Sequence, residues 1–547
     1  MSSAEDLVTQ GKTLFNKRQS LLSLWQELAE NFYPERADFT SDRSLGTEFA
    51  SDLANTAPVL FRRDLANSLG GMLRPTNKQW FHTRTSNYED LDTESLRWLE
   101  RAEQRQRRAM YVKDAQFRRA MTEHDNDLAT FGQAVLQLSL NRKRTQLLYR
   151  CRHLRDCAWL ENDEGVIDCV YRKWKMRALD AVAHWPETAG YKLRELASKE
   201  PYTLVELWHC VKPTPEDYKP EKGKLKTIYK SYVVYAEEAT LLEEIGVNFL
   251  GYVIPRWQTV SGSQYAFSPA SITALPDART LQAMTVTLLE AGEKSVTPPL
   301  LGVQEALRSD VNVMAGGITW VDREYDERLG EVLRPLTIDK SGIPLGMELA
   351  AGIEARLRDA WLISKLNMPP VGGPDMTAYE VGQRVQEWIR QALPLVEPIE
   401  TESNGGVCDA TFDILMAQGV FGVPQDRPAT LQDTEVVFTF ESPLHDALER
   451  VKAQKYMEAL SLLANATAAD PSTAHILDHT KAVREALNCS GVPAEWMRTT
   501  DEVRELADAD RQAQQTAELL AQLQQGADVA RTLGTTPTPS GTLGAGQ

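Results

Sequence analysis

No stretch of this chain approaches the ~18 consecutive apolar residues that a membrane-spanning helix requires, although 42% of its 547 residues are apolar. The chain can bury cores without crossing a bilayer, and no membrane partner is expected. Its opening, Met1-Ser-Ser-Ala-Glu-Asp6, has neither the basic residues nor the apolar core of a secretion signal, so the protein is expected in the cytoplasm where it is made. Cysteine is scarce: six residues without regular spacing exclude a disulfide framework, and they are read as reduced thiols. The sequence also lacks a GxxxxGK[ST] loop, an HExxH helix, a nucleophile elbow and a dinucleotide fingerprint. P-loop hydrolysis of ATP by this chain is thereby excluded, and no cofactor is expected. Acidic residues are plentiful but form no compact carboxylate set of the kind a two-metal nuclease uses, so the chain is not read as an enzyme.

What is present is acidic. Lys and Arg number 60 against 77 Asp and Glu, a net charge of −17. Affinity for duplex DNA rises with the number of phosphates that Lys and Arg neutralise, so tight DNA binding is disfavoured. A surface past which DNA must slide is still compatible with acidity. The most basic parts are a helix expected over Leu96–Met121 (Arg97, Arg101, Arg105, Arg107, Arg108, Arg118, Arg119) and the run Arg142-Lys-Arg144. The helix reads either as a solvated face ion-paired with Glu100, Glu103 and Asp114 or as a contact for nucleic acid. Cys151, His153, Cys157 and Cys169 have the ligand types of a zinc site at spacings of no known zinc module, and read equally as buried small hydrophobes. His475 and His479 share a helix face without a third ligand.

A chain this long predicts roughly two to four domains or subdomains. Periodicity predicts a mixed α+β, largely helical protein. Residues 1–155 read as mostly helical, with a stripe from Leu14 through Trp25, Leu28 and Phe32 ending at Pro34, and a second helix from Pro58 stopping at Gly70-Gly71 as a C-cap. From 149 to 258 the period becomes two. Thr203, Val205, Leu207, His209 and Val211 alternate with Leu204, Glu206, Trp208 and Cys210, as in a sheet, and Pro213, Pro215 and the stretch Glu216–Lys226 read as a loop between strands. A helix carrying Leu281, Met284, Leu288 and Ala291 is expected after Pro269, ending at Thr297-Pro-Pro299. A second helix, 345–366, repeats Leu349, Ile353, Leu357 and Trp361 every four residues, and the glycine-punctuated segment 298–344 lies between the two. Thr377 with Glu380 forms a capping box opening a helix whose apolar face carries Val381, Val385, Trp388 and Ile389. A short strand is expected at Thr434–Phe440, then helices near 444–468, 472–488 and 500–525, and a disordered tail at 534–547.

Three stretches in order carry a resemblance. Leu65-Ala-Asn-Ser-Leu-Gly-Gly-Met-Leu-Arg-Pro75 runs on to Trp80-Phe81; Pro255-Arg-Trp-Gln258 leads to Tyr265-Ala-Phe-Ser-Pro269; and Thr377-Ala-Tyr-Glu380 continues to Arg384. Together they resemble the head-to-tail connector family, the portal proteins of short-tailed bacteriophages, over about Leu14 to Arg511. One position departs: the family usually has glycine after the tyrosine, where this chain has Ala266.

The resemblance implies a subunit made of a wing (1–269, β-rich over 149–258, with a return at 377–441) and a stem of two helices (270–297 and 345–366). It also implies a clip (298–344), a channel loop (367–376), a crown (442–499) and a barrel-like helix (500–533). It implies a cyclic ring of about twelve copies in the virion, at one capsid vertex, passing double-stranded DNA without sequence specificity. Lys365, Asn367, Met368, Pro369, Pro370 and Val371 would touch DNA, although the segment also reads as a plain connecting loop. Trp320, Asp322, Arg323, Glu324 and Arg328 of the clip would dock the terminase large subunit and later tail adaptor proteins. Major capsid, scaffolding and internal core proteins are the other implied partners. Two alternatives stand beside this reading. One is a nucleic-acid-processing metalloenzyme using the basic helix and the Cys151 group; the other is a capsid assembly adaptor without a channel.

Overall fold

The computed structural model describes chiefly residues 4–42, 53–76, 78–85, 93–215, 226–302, 342–366, 378–422, 427–431 and 434–442, with short pieces between 303 and 341 and between 456 and 516. The chain divides into two units, Met1–His445 and Asp446–Gln547.

The first unit mixes helix and sheet. The N-terminal stripe splits at Arg18 into α1 (Ala4–Lys17) and α2 (Gln19–Phe32). The break is fixed by Arg18 itself, which turns inward to donate to Leu154 O at 2.7 Å and to Arg155 O. α3 (Ala57–Leu73) runs through Gly70-Gly71 instead of stopping there, which corrects the expected C-cap. Gly70 serves close approach: a Cβ there would lie 2.9 Å from Asp125 Oδ2. β1 (Phe81–Thr85) follows. The single Arg-rich helix expected over Leu96–Met121 is in fact two, α4 (Thr93–Tyr111) and α5 (Phe117–Phe131), because the chain turns through Gln116 at φ 56°.

β2 (Val135–Leu140) and β3 (Leu147–Arg152) form a hairpin. β4 (Cys157–Glu161), β5 (Ile167–Arg177), β6 (Leu204–Pro213), β7 (Tyr229–Tyr235) and β8 (Thr240–Val247) form an antiparallel meander in chain order. The alternation read along β6 matches two covered faces. Val205 and Leu207 pack on α6 (Ala178–His184) and α7 (Tyr191–Lys199), an insertion after β5 that periodicity did not reveal, while Trp208 and Cys210 pack on α1. Residues 216–225 lie outside the described residues, but their flanks pair, Pro213 opposite Tyr229, as a loop between strands requires. β9 (Tyr252–Val253) adds to β2.

α8 (Pro269–Val296) is capped by Ser268, whose side chain accepts from Ser271 N. A short ribbon, β10 (Leu300–Gly302) with β11 (Leu333–Pro335), leads to α9 (Gly342–Ala360) and α10 (Ile363–Leu366). The second helix thus starts at Gly342 and breaks at Leu362, φ 56°, where an unbroken helix over 345–366 was expected. Its four-residue stripe holds only in the lower half: Ile353, Leu357 and Trp361 are buried, whereas Leu349 is 54% exposed. α11 (Ala378–Ile399) continues through Pro394 and Pro398 into a π-helical turn, Glu400–Gly405, and α12 (Gly406–Ala417). A helix losing two N–H donors so close together accommodates by widening its turn. β12 (Val436–Phe440) pairs with β1, Phe81 opposite Phe440.

In the second unit the described pieces at 456–464, 481–483 and 508–512 are helical. Residues 466–467, 486–487 and 515–516 are helical as well, whereas 476–478 are not α-helical and interrupt the helix expected over 472–488; His475, His479 and the tail 534–547 lie outside the described residues.

Candidate functional site

Of the ordered motif, the stretch 255–269 leads directly into α8 and the helix carrying 65–73 contacts α9, whereas Trp80 and Phe81 lie at the β1–β12 ribbon. The segment before α8 is held by backbone: Trp257 N donates to Gly132 O at 2.8 Å, and Phe267 N to Gln258 O at 2.9 Å. Gly132, at φ +74°, ends α5 where a Cβ would fall 2.1 Å from the carbonyl carbon of Phe267, so a glycine is required for chain to pass chain. Gln133 Oε1 accepts from Ala266 N at 3.0 Å, and Ser268 Oγ donates to Ala129 O at 2.7 Å. Tyr265 lies against Trp159 and Trp25, with ring centroids 4.6 and 6.1 Å away. Ala266 is buried at an ordinary φ, so the turn does not need a glycine at this position.

The root of α9 is fixed by aromatic packing, and α5 carries a row of paired polar residues that tie it to neighbouring elements. Trp361 is buried edge-on against Phe32, centroids 4.9 Å apart. On α5, Asp125 is clasped by Arg74, which also donates to Asn404 Oδ1 at 2.8 Å; Asn404 in turn donates to Leu73 O at 2.9 Å. Burial would raise the Asp125 carboxyl, but Arg74 and His124 hold it below the usual carboxylate range. Two residues on, Asp127 takes a two-pronged pair from Arg36 at 3.1 and 2.6 Å. These ties join α3, α5 and the π-helical turn into one block. Sequence reasoning missed them because Arg74, Asp125 and Asn404 are far apart in the chain; the one local signal was Gly70, which was misread as a helix end.

Trp80 and Phe81 anchor the β1–β12 ribbon: Trp80 Nε1 donates to Tyr111 OH at 2.9 Å, and Phe81 faces Phe438 with centroids 6.0 Å apart. Beside them His82 bridges Glu103 at 3.1 Å and Glu441 at 3.0 Å. Burial alone would lower this imidazole, and the two carboxylates instead carry it up to about 9.

The other sequence-derived residues are placed unevenly. Lys365 is exposed on α10, next to the buried Leu366, while Asn367, Met368, Pro369, Pro370, Val371 and Thr377 lie outside the described residues. Glu380 sits in α11 without a described side chain; Arg384, on the same helix, is exposed, and Pro269 opens α8. Trp320 is 66% exposed beside Val321, which bridges Leu307; Asp322 is half-buried, and Arg323, Glu324 and Arg328 lie outside the described residues.

The features behind the alternative readings are dispersed. Arg105 donates to Val420 O, Arg107 to Gln79 and Lys78 O, and Arg119 pairs with Glu123, while Glu103 turns inward, away from the arginine face. Cys157 and Cys169 are buried, Cys151 lies against Asp127, and His153 pairs with Asp38 at 2.6 Å. Among the described residues no three His, Cys, Asp or Glu side chains gather as a metal set.

Comparison with known proteins agrees with the motif. The family described as "Bacteriophage head to tail connecting protein" matches residues 4–497. The chain therefore belongs to the head-to-tail connecting, or portal, protein family of bacteriophages. It is similar to the probable portal protein of Bordetella phage BPP-1, at 23% identity over 97% of this chain and 95% of that one. It is also similar to the portal protein of Salmonella phage epsilon15, at 21% identity over 98% of this chain and 96% of that one. Among solved structures, a chain of the virion of a native gene transfer agent particle aligns over 80% of this chain and 91% of that chain at 10% identity, with a TM-score of 0.35.

Proposed function

We propose that this portal protein works as a closed ring of about twelve copies at a single capsid vertex, through which double-stranded DNA enters during packaging and leaves at ejection. The observation that carries the reading is the pair α8 and α9. Asp277 of α8 pairs with Arg356 of α9 at 3.2 Å, and Leu288 sits against Gly346, so the helices run antiparallel and bracket residues 297–341. Both are rooted in the block described above. In this reading they are the stem, the segment between them is the clip, residues 367–376 are the channel loop, residues 1–269 and 377–441 are the wing, and residues 442–499 and 500–533 supply the crown and barrel-like helix.

In a cyclic ring every inward side chain becomes a collar of like groups. An acidic chain gives an inner wall that repels phosphate instead of holding it, and a loop of prolines, glycines and Met368, with Lys365 at its edge, brushes DNA without gripping sequence. The chain has no ATP-binding loop of its own, so the packaging energy comes from an ATP-driven terminase docked on the clip through Trp320, Asp322, Arg323, Glu324 and Arg328. Tail adaptors take the same surface afterwards, and capsid, scaffolding and internal core proteins meet the wing and crown. The chain acts as a conduit and does no chemistry.

Deleting residues 367–374 tests the loop assignment. Rings should form as in the wild type while mature particles lose their genomes, measured as DNA per particle. Normal DNA content in particles carrying the deletion would contradict the loop's role.

A further inference from the structure

The β2–β3–β9 sheet and the meander meet at a seam that carries positive charge without a matching negative one. Gln137 of β2 stands opposite Arg150 of β3 on one side and Tyr252 of β9 on the other, and Arg152, two residues along β3, shares their face. On the meander, Arg172 of β5 stands opposite His209 of β6. The two sheets come together at one atom: Gln137 Oε1 accepts from Arg152 Nε at 2.8 Å and from Arg172 Nη1 at 3.0 Å. A carbonyl oxygen has two lone pairs, and both are used. His209 closes the seam, its Nδ1 2.6 Å from Tyr252 OH and its Nε2 2.8 Å from Ser231 Oγ.

Among the described residues Arg36, Arg74 and Arg256 each pair with an acid, whereas Arg152 and Arg172 pair with none. Arg18 and Arg62 also lack an acid, but each has two oxygens to itself. Two guanidiniums sharing one neutral amide oxygen leave charge uncompensated in a partly dry place, which is costly. Arg172 is buried and stacks over Trp174 at 4.8 Å; Arg152 is half-buried, and its two terminal nitrogens make no hydrogen bond yet are not sealed from solvent. Burial and then Arg172 bring the Arg152 guanidinium down to about 10, and burial with both arginines holds His209 down to about 3, so the imidazole is neutral. A cleft of about 850 Å³ between the β2–β3 hairpin, the meander and α6 reaches the seam at Gln137, His209 and Ser231, with Arg142 and Arg144 exposed on its wall. Of the acids on that wall, Glu243 accepts from Trp185 Nε1 at 2.8 Å and Glu187 is exposed.

Sheets packed face to face leave about 10 Å between them, so what enters is a small molecule and not a nucleic-acid duplex. The planar fork of an arginine matches two oxygens of a tetrahedral oxyanion. We infer that the seam is a binding site for a phosphate group, free or at the head of a small monoester, which enters through the cleft and takes the terminal nitrogens of Arg152, with Arg172 supplying the second charge. The site lies wholly within one copy and does not depend on a ring.

The test uses the full-length chain in a chloride buffer, titrated by calorimetry at constant ionic strength with inorganic phosphate and, separately, with adenosine monophosphate. One saturable site per chain is expected for at least one of the two: binding of phosphate alone identifies the free ion, and binding of the nucleotide at least as tightly identifies the monoester. Arg152→Gln should weaken that binding at least about tenfold, while Arg101→Gln, on the exposed face of α4, should leave it unchanged. Because Arg152→Gln removes an uncompensated charge, its unfolding midpoint in chloride should be no lower than that of the wild type, and the bound probe should raise the wild-type midpoint only. A midpoint lowered equally with and without the probe would make Arg152 a purely structural residue and overturn the inference. So would binding that Arg152→Gln and Arg172→Gln both leave intact. The absence of saturable binding of either probe to the wild type overturns it however the variants fold.

Discussion

Arg74 and Asp125 show how much of this protein's architecture rests on single buried charges. Their side chains are 5% and 7% exposed, and neither has water to fall back on. Removing one partner strands the other, a loss of about 3–5 kcal/mol. Arg74→Ala should therefore shift the denaturant midpoint of the purified chain strongly downward, and a change under about 1 kcal/mol would show that the pair holds nothing together. His82 gives a prediction that depends on pH. Its folded value, about 9, stands above the ordinary 6.5, so its contribution is complete below pH 6.5 and fades as pH rises through 9. With Glu441 partly solvated, the effect is on the order of 2 kcal/mol. Unfolding followed at pH 6 and pH 10 should show this loss in the wild type and a smaller one in His82→Gln.

Among the elements, the joint between α5 and the strand before α8 is the most exacting. Gly132→Ala sets a methyl into the Phe267 backbone at a left-handed φ and should cost on the order of 3 kcal/mol, read from the same denaturation curves. A near-neutral result would mean that the root of α8 can move aside. This joint also marks the limit of what the sequence shows. Ser268-Pro269 and Thr297-Pro298 announce both ends of α8, and β6 declares itself by alternation, because caps, prolines and period are local signals. Gly70 looks like a helix end for the same reason, and only the carboxylate of Asp125, 55 residues on, explains it. The break at Gln116 in the expected Arg-rich helix and the passage of α11 through Pro394 and Pro398 are likewise decided by tertiary packing. In the upper half of α9 the apolar repeat continues through Leu345 and Leu349, which are exposed, so its period was legible while its burial was not.

At the scale of the whole molecule the same contrast recurs. Two of the three pieces of the ordered motif, 65–81 and 255–269, supply buried residues of the first unit, Leu65, Leu69, Trp80, Phe81, Tyr265 and Ala266 among them. The surfaces proposed to contact DNA and docked proteins are thinner in signal: Lys365 and Trp320 are exposed, but a side chain that meets DNA or a docked protein looks in sequence like any other loop residue. Charge reversal at Arg323 and Arg328 should weaken capture of the terminase large subunit in a pull-down while leaving ring formation unchanged; equal capture would remove the clip from the docking surface. A closed channel requires a closed ring, which native mass spectrometry of the purified full-length protein can weigh. One dominant closed assembly of about twelve copies with no ladder of open intermediates is expected, and a chain that stays monomeric at every concentration and in the presence of its capsid partners would rule the channel out.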